Sequence, residues 1–158
     1  KVRYTANKVS RNFMPYLIAA CDIYAAPSRL EGFGMIQVEA NACAKPVIAI
    51  NAMGPLDTMI HGQTAFLANI EREIMVCETL LGPEAGFAPN TKIVFKEPRT
   101  VDYRARVDDI ARYMQQLMNN PQLRKIMGQA GRKRVVENFD YKVVAKKFVK
   151  IISEKFNL

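Results

Sequence analysis

Two short apolar runs, 22–26 (Asp-Ile-Tyr-Ala-Ala) and 46–51 (Pro-Val-Ile-Ala-Ile-Asn), restrict the fold of this chain more than any other feature. Pro27-Ser28 stops the first, and Pro46 stands only at the start of the second, where a strand tolerates a missing N–H. Strands that are apolar without interruption are buried on both faces, as in a parallel sheet covered by helices. Residues 34–44, between the two runs, have the length and composition of a crossover helix. Strand, helix and strand then make a βαβ unit, and the class is α/β.

The flanking segments extend this pattern. Residues 2–6 alternate weakly, as a strand would, and 12–20 carry Phe13, Leu17 and Ala20 at helical spacing. A short helix is expected over 54–60, a turn at Gly62-Gln63-Thr64, and a last strand over 65–68. In 73–80 and 92–96 apolar and polar residues alternate around the loop 82–86, which predicts a hairpin. From Asp102 the period becomes helical, with Val107, Ile110, Ala111, Met114, Leu117 and Met118 in one stripe. Asn120 is placed to cap a helix that Pro121 opens, with Leu123, Ile126, Met127 and Ala130 as its apolar face. Asp140 caps a third helix reaching about Phe156, on which Val144, Phe148, Ile151 and Ile152 line one side.

The expectation is one partial domain over 1–158, with an atypical insertion at about 69–100 and C-terminal helices at about 102–156. Its architecture is a Rossmann-like parallel sheet, truncated at its N-terminal side, with helices on both faces. The chain begins at Lys1 inside what reads as a strand, so it is expected to have been excised from something longer.

Composition excludes several classes of function. With 49% hydrophobic and 24% charged residues the chain is neither disordered nor membrane-embedded. Its longest apolar stretch, 14–27, is broken by Pro15 and Asp22 and falls short of the ~20 residues that a span needs. No signal-peptide pattern is found. Cys21, Cys43 and Cys77 are odd in number without CxxC spacing, which argues against a disulfide framework or zinc site and fits a reducing cytoplasm. His61 is the only histidine.

The net charge of +8 sits almost wholly in residues 121–158, where ten Lys and Arg oppose three acidic residues. Such a run is a solvated helix face or a patch, including Lys133 and Arg134, that meets a membrane surface or an acceptor. Tyr4, Tyr16, Tyr24, Phe13 and Phe33 form no base-stacking stripe, so no nucleic-acid partner is expected.

The chemistry concentrates in residues 27–39, which run from the end of a strand into a helix. Ligands of open α/β sheets bind at the carboxyl ends of strands, where helix N-termini offer free N–H groups to anions. Gly32 and Gly34 would let a phosphate approach the backbone closely. On the helix, Gln37 and Asn41 fall about 160° from Glu39, whereas Met35, Ile36, Ala42 and Cys43 lie within about 60° of it. Glu39 therefore reads as a carboxylate on an apolar, core-facing side, where it needs a partner. That partner is either backbone amides or an arginine, or else the hydroxyl pair of a ligand such as a ribose.

Glu31 and Glu39, separated by seven residues and followed by Ala40-Asn41-Ala42-Cys43-Ala44-Lys45-Pro46, resemble the E-x7-E signature of the retaining GT-B glycosyltransferases of family GT4. Three further segments are similar to that family in the same order: 21–28, then 54–57 with 61–67, then 120–124 with 139–141. The resemblance implies a nucleotide-diphosphate-sugar donor and transfer of a hexosyl group with retention to a sugar or lipid-linked acceptor, without a metal or other cofactor. It implies Glu31 beside the donor sugar as the catalytic residue, with the Gly32, Phe33 and Gly34 loop touching the sugar. Met35 and Ile36 would give their N–H groups to the diphosphate, Glu39 would hold the ribose, and Val9 would lie near the base. It also implies a separate N-terminal acceptor domain, absent from these residues, so that the chain alone is expected to be inactive. Localisation is expected to be cytoplasmic, with peripheral membrane contact through the basic C-terminal helices. Departures are Ala44 and Ala65 in place of glycine, Asp57 in place of Glu, and His61 in place of Asp. The alternative is a non-catalytic nucleotide-binding or interaction module of the same fold.

Overall fold

The structure, a computed structural model, describes residues 9–156. The strand expected over 2–6 lies outside them. Helix α1 (Met14–Ala19) leads to strand β1 (Tyr24–Ala26), helix α2 (Met35–Ala42), strand β2 (Val47–Ile50), helix α3 (Gly54–Thr58) and strand β3 (Ala65–Ala68). Two long strands follow, β4 (Ile70–Leu81) and β5 (Thr91–Ala105), joined by a loop that holds one 3₁₀ turn, Pro83–Ala85. Helices α4 (Val107–Asn119), α5 (Pro121–Asn138) and α6 (Tyr141–Phe156) complete the chain.

Strands β1, β2 and β3 form a parallel sheet in that order, with Ile48 opposite Ala25 on one side and Phe66 on the other. All four residues of β2 and of β3 are buried, so both read as they should for a sheet covered on two faces. β1 does not: Ala25 is exposed, because β1 is the edge strand among the described residues. On one face Val47, Ala49, Ala65 and Leu67 pack with Ile18 and Ala40. On the other, Ile48, Phe66 and Ala68 pack with Tyr113, Leu117 and Met127. The alternation along β2 and β3 thus builds two cores, one under α1 and α2 and one under α4 and α5.

The hairpin is longer than its alternation suggests. β5 continues to Ala105, so residues 102–105, expected to begin the helical region, complete a strand. Alternation had broken down at the run Lys96-Glu97-Pro98-Arg99, which hides the continuation. The pairing there is irregular, with register shifts between Ile74 and Met75 and between Val76 and Glu78. The hairpin leaves and returns at one point: Arg106 N–H donates to Asn69 C=O at 2.8 Å. Asp109 locks this root, accepting from Asn69 N–H at 3.0 Å and from its Nδ2 at 2.9 Å.

The C-terminal helices are capped as expected, with Asn120 Oδ1 accepting from Leu123 N–H and Asp140 Oδ1 from Lys142 N–H, each at 2.9 Å. Their buried faces are rotated from the expected stripes. On α4 it is Asp109, Tyr113 and Leu117 that are buried, while Val107 and Met118 are exposed. On α5, Met127 is buried with Gly128 and Gly131, while Ile126 is exposed. α6 buries no residue, leaving Val144, Phe148 and Ile151 in solvent. Reading apolarity alone overlooked that glycine marks the tightest contact. A Cβ on Gly128 would stand 2.0 Å from the Ala44 carbonyl oxygen, and one on Gly131 would stand 2.2 Å from Asn41 Oδ1. α5 therefore lies almost backbone to side chain against α2.

Ala44, at the end of α2, has φ of 55°, the left-handed region that disfavours any residue with a Cβ. Replacing it with glycine should raise stability by about 0.5–1 kcal/mol, since the left-handed penalty of roughly 1–2 kcal/mol is relieved and glycine loosens the unfolded chain. Gly128→Ala should lower stability by about 2–3 kcal/mol, because its methyl meets backbone that cannot yield. Urea unfolding of both variants, with Gln129→Ala as a near-neutral control, measures these shifts.

Candidate functional site

The carboxyl ends of the three parallel strands share one edge of the sheet, and the loop from Pro27 to Gly34 rises from the first of them. Gly34 ends this loop with φ of 82°, a backbone state that glycine supplies at least cost. Gly32 has a different part, since a Cβ there would meet nothing within 4 Å. The loop is seated from below by Gly54, where a Cβ would lie 2.5 Å from the Gly32 carbonyl oxygen and the Phe33 Cα. From the side, Phe139 meets the Phe33 ring edge to face at 5.9 Å.

Arg134 completes this brace. Its Nε donates to Thr58 C=O at 2.8 Å, a second guanidinium N–H donates to Asp57 C=O at 2.9 Å, and its head stacks over Phe139. Arg134 thus closes the end of α3 and does not belong to a free surface patch. Lys133 beside it is exposed, 3.9 Å from Glu137.

Glu31 sits at the mouth of α2. Its Oε1 accepts from Gly34 N–H at 3.0 Å, and its Oε2 lies 3.4 Å from both Ser28 Oγ and Gln37 Nε2. The first helical bond of α2 runs from Val38 N–H to Gly34 C=O at 2.9 Å, and no side chain caps the turn. The N–H groups of Met35 and Ile36 are therefore open donors at a helix N-terminus. The buried Gln37 Oε1, just behind, has no hydrogen-bond partner among the described residues.

Glu39 corrects the sequence reading. It is exposed, and the buried residues of α2 are Gln37, Ala40 and Asn41. The core-facing side is the one that carries amides, because α5 presses on it through Gly131 and Asn41 Nδ2 reaches Thr64 C=O at 3.4 Å. The apolar side, with Met35 at 58% and Ile36 at 45% exposure, is left open. The premise that Glu39 needs a partner because it faces the core therefore fails. What it faces instead is a cleft of about 640 Å³ between α1 and α2, lined among others by Val9, Met14, Ile36, Glu39, Cys43 and Arg132. Val9 and Glu39, far apart in sequence, are brought to the same cleft.

Sequence reasoning missed Tyr24, Gln37, Gly54 and Arg132 as neighbours of these residues. The Tyr24 hydroxyl is pushed above its ordinary pKa by burial first, then by the charges of Glu31 and Glu39, so it stays protonated and able to donate at neutral pH. Its position at the head of β1 was the one available signal. His61 is exposed, as expected, but its Nδ1 also accepts Leu67 N–H at 3.0 Å and its ring meets Phe66 and Tyr113, which gives it a structural part. Among the described residues no three His, Cys, Asp or Glu are grouped as metal ligands. None of the described helices is long and apolar enough to cross a membrane.

A two-faced parallel α/β domain with an open helix N-terminus at its strand ends defines a Rossmann-like class of fold. Within it, residues 2–76 match the model of the family described as glycosyl transferases group 1, and the fold is that of GT-B type domains. The chain is 28% identical over 123 residues to the capsular polysaccharide biosynthesis glycosyltransferase CapM of Staphylococcus aureus, covering 78% of this chain and 23% of that protein. It is 27% identical over 150 residues to the alpha-1,3/1,6-mannosyltransferase ALG2 of Dictyostelium discoideum, covering 95% and 27% respectively. The chain thus spans about a quarter of the length of these curated relatives.

Among solved structures, it superposes on sucrose-phosphate synthase from Thermosynechococcus elongatus with a TM-score of 0.67 at 20% identity, covering 96% of this chain and 30% of that one. It superposes on Anabaena HepE in complex with UDP-glucose with a TM-score of 0.61 at 22% identity, covering 89% and 30%.

Two buried carboxylates give the fold a defined acid response. Arg29, hydrogen-bonded to Asp102 with its Nε at 2.8 Å from Oδ1, is the main cause holding the Asp102 carboxyl below the ordinary range. The Asn69 backbone N–H does the same for Asp109. A carboxylate whose folded pKa is depressed adds stability that is complete above its unfolded pKa and is lost as pH falls through the folded value. Thermal unfolding should therefore be level from about pH 7 to 5 and fall steeply below about pH 4, and Asp109→Asn should start lower and flatten that fall.

Proposed function

We propose that this chain is the donor-binding portion of a retaining glycosyltransferase that transfers a hexosyl group from a nucleotide-diphosphate sugar. The observation that carries the reading is the cleft shared by Val9, Ile36 and Glu39, opening beside the uncapped end of α2. In this reading the base lies near Val9, and the two oxygens of Glu39 accept the ribose hydroxyls. The exposure of Glu39 favours such contact, because among the described residues no protein group competes for it. The diphosphate lies on the N–H groups of Met35 and Ile36, and the sugar lies under Glu31 with the Gly32, Phe33 and Gly34 backbone against it. The space over Gly32 leaves room for the sugar.

The bond from the anomeric carbon to the β-phosphate oxygen breaks with its electron pair leaving on that oxygen. The α2 amides and helix dipole stabilise the growing charge. The acceptor hydroxyl adds on the same face of the sugar, and its proton passes to the departing phosphate oxygen, which gives retention. Glu31 bonds the sugar hydroxyls near the reacting carbon, which requires it to exchange its weak contacts to Ser28 and Gln37 for the substrate. No metal or other cofactor is required. That HepE is described in complex with UDP-glucose makes UDP the first nucleotide to test.

The partners in this reading are an acceptor domain of the same enzyme and a cytoplasmic membrane surface. The solvent-facing apolar side of α6, carrying Phe148 and Ile151 with Lys146 and Lys150 around the helix, supports both contacts. Isothermal titration with UDP, GDP and ADP and their sugars tests the donor site. One nucleotide should bind at micromolar to millimolar Kd, with Glu39→Ala weakening it at least tenfold, roughly 1.4 kcal/mol or more. Equal binding by Glu39→Ala would refute the site. The isolated chain should show no turnover; measurable transfer by it would show that the acceptor domain is dispensable. Selective nucleotide binding together with an inactive whole enzyme would favour a non-catalytic module.

A further inference from the structure

A second open cleft, of about 700 Å³, lies at the root of the hairpin. Arg29 lines it from the loop after β1, Glu71, Arg72, Tyr103 and Arg104 from the hairpin, and Val107 from the first turn of α4. None of the donor-site residues lines it, yet Arg29 stands two positions before Glu31. The hairpin rises from the carboxyl end of β3, the same sheet edge from which the Glu31 loop rises.

The three guanidiniums there are only partly neutralised. Asp102 is buried and is shared by Arg29 and Arg104, the latter with N···O of 3.0 Å. Arg72 forms no ion pair among the described residues, and Glu71 forms none either. The Nε of Arg104 is buried and has no acceptor among the described residues. Buried N–H donors are almost always satisfied, so this one marks a missing acceptor. α4 adds its own open end, since Arg106 at its N-cap makes no side-chain capping bond. Asp109 in that turn is already engaged by Asn69 and Arg112.

We propose that this hairpin-root cleft binds an oxyanion, a phosphate or carboxylate carried by the acceptor, and so holds the acceptor beside Glu31. The inference rests on the donor-site reading for its meaning, while the anion site itself can be tested alone. The planar fork of arginine suits both oxyanions. The hairpin is then the element through which this chain selects an acceptor, because it supplies Arg72 and Arg104 and fixes Arg29 through Asp102.

The test is residue-resolved NMR of the 158-residue chain titrated separately with inorganic phosphate and with acetate, chloride holding the ionic strength constant. Saturable shifts are expected at the Arg104 Nε–H and the Val107 N–H, half-complete at millimolar anion. A larger response to phosphate identifies a phosphorylated acceptor, and a larger one to acetate identifies an acidic sugar. Arg72→Gln, which disturbs no ion pair, should weaken binding about fivefold to tenfold, and Arg104→Gln should abolish it. Shifts that do not saturate, that spread evenly over the lysines of α6, or that keep the same half-saturation concentration in Arg72→Gln would overturn the proposal. UDP shifts at Val9, Met35 and Ile36, lost in Glu39→Ala, report on the donor site alone, so the two readings can fail independently. In the intact enzyme Arg72→Gln should raise the acceptor KM several-fold and leave the donor KM unchanged; an unchanged acceptor KM would also overturn it.

Discussion

The close packing of α5 against α2 through Gly128 and Gly131 determines how the faces of α2 are turned. It is possible only because those two positions carry no side chain, and it draws Asn41 and Gln37 inward. Once that side of α2 is committed, its apolar side must turn outward, so that Met35 is exposed and Ile36 and Glu39 come to line a cleft in place of a core. The left-handed Ala44 is the other half of the same constraint, since its carbonyl is what Gly128 approaches. Packing between two helices thus sets the orientation of an open cleft.

The loop that carries Glu31 is held by separate elements of the chain. Gly54 supports it from α3, Phe139 flanks it from the end of α5, and Arg29 ties its beginning to Asp102 on the hairpin. Arg134 joins the first two supports by closing α3 while stacking on Phe139. None of these contacts is large by itself. Together they restrain a glycine-containing turn that would otherwise lose much conformational freedom on meeting a ligand.

The sheet was legible because burial on both faces leaves an unmistakable apolar run in β2 and a short one in β3. The caps at Asn120 and Asp140 were legible because the chemistry of a helix start is local. What could not be read was rotation. For α2, α4 and α5 the apolar stripe and the buried face differ, since glycine and amide side chains can be core residues when a neighbouring helix comes close enough. The same blindness produced the argument that Glu39 faces the core: the residue lines an open cleft, and the physical reason for singling it out is one that α2 does not obey. The hairpin's full length was hidden for another reason. A two-stranded arm with no covering layer has no face that must be apolar, so alternation fades at Lys96-Glu97-Pro98-Arg99 while the backbone pairing continues.

Because Asn69 and Arg106 are bonded to one another, the 36 residues from Ile70 to Ala105 hang from a closed junction. Changes of length or composition farther out along the arm impose no displacement on β3 or α4, provided that Asn69, Asp109 and the Arg29 tie are kept. Such an appendage can vary at its tip while the scaffold beneath stays fixed, because the junction isolates the sheet from whatever the arm carries.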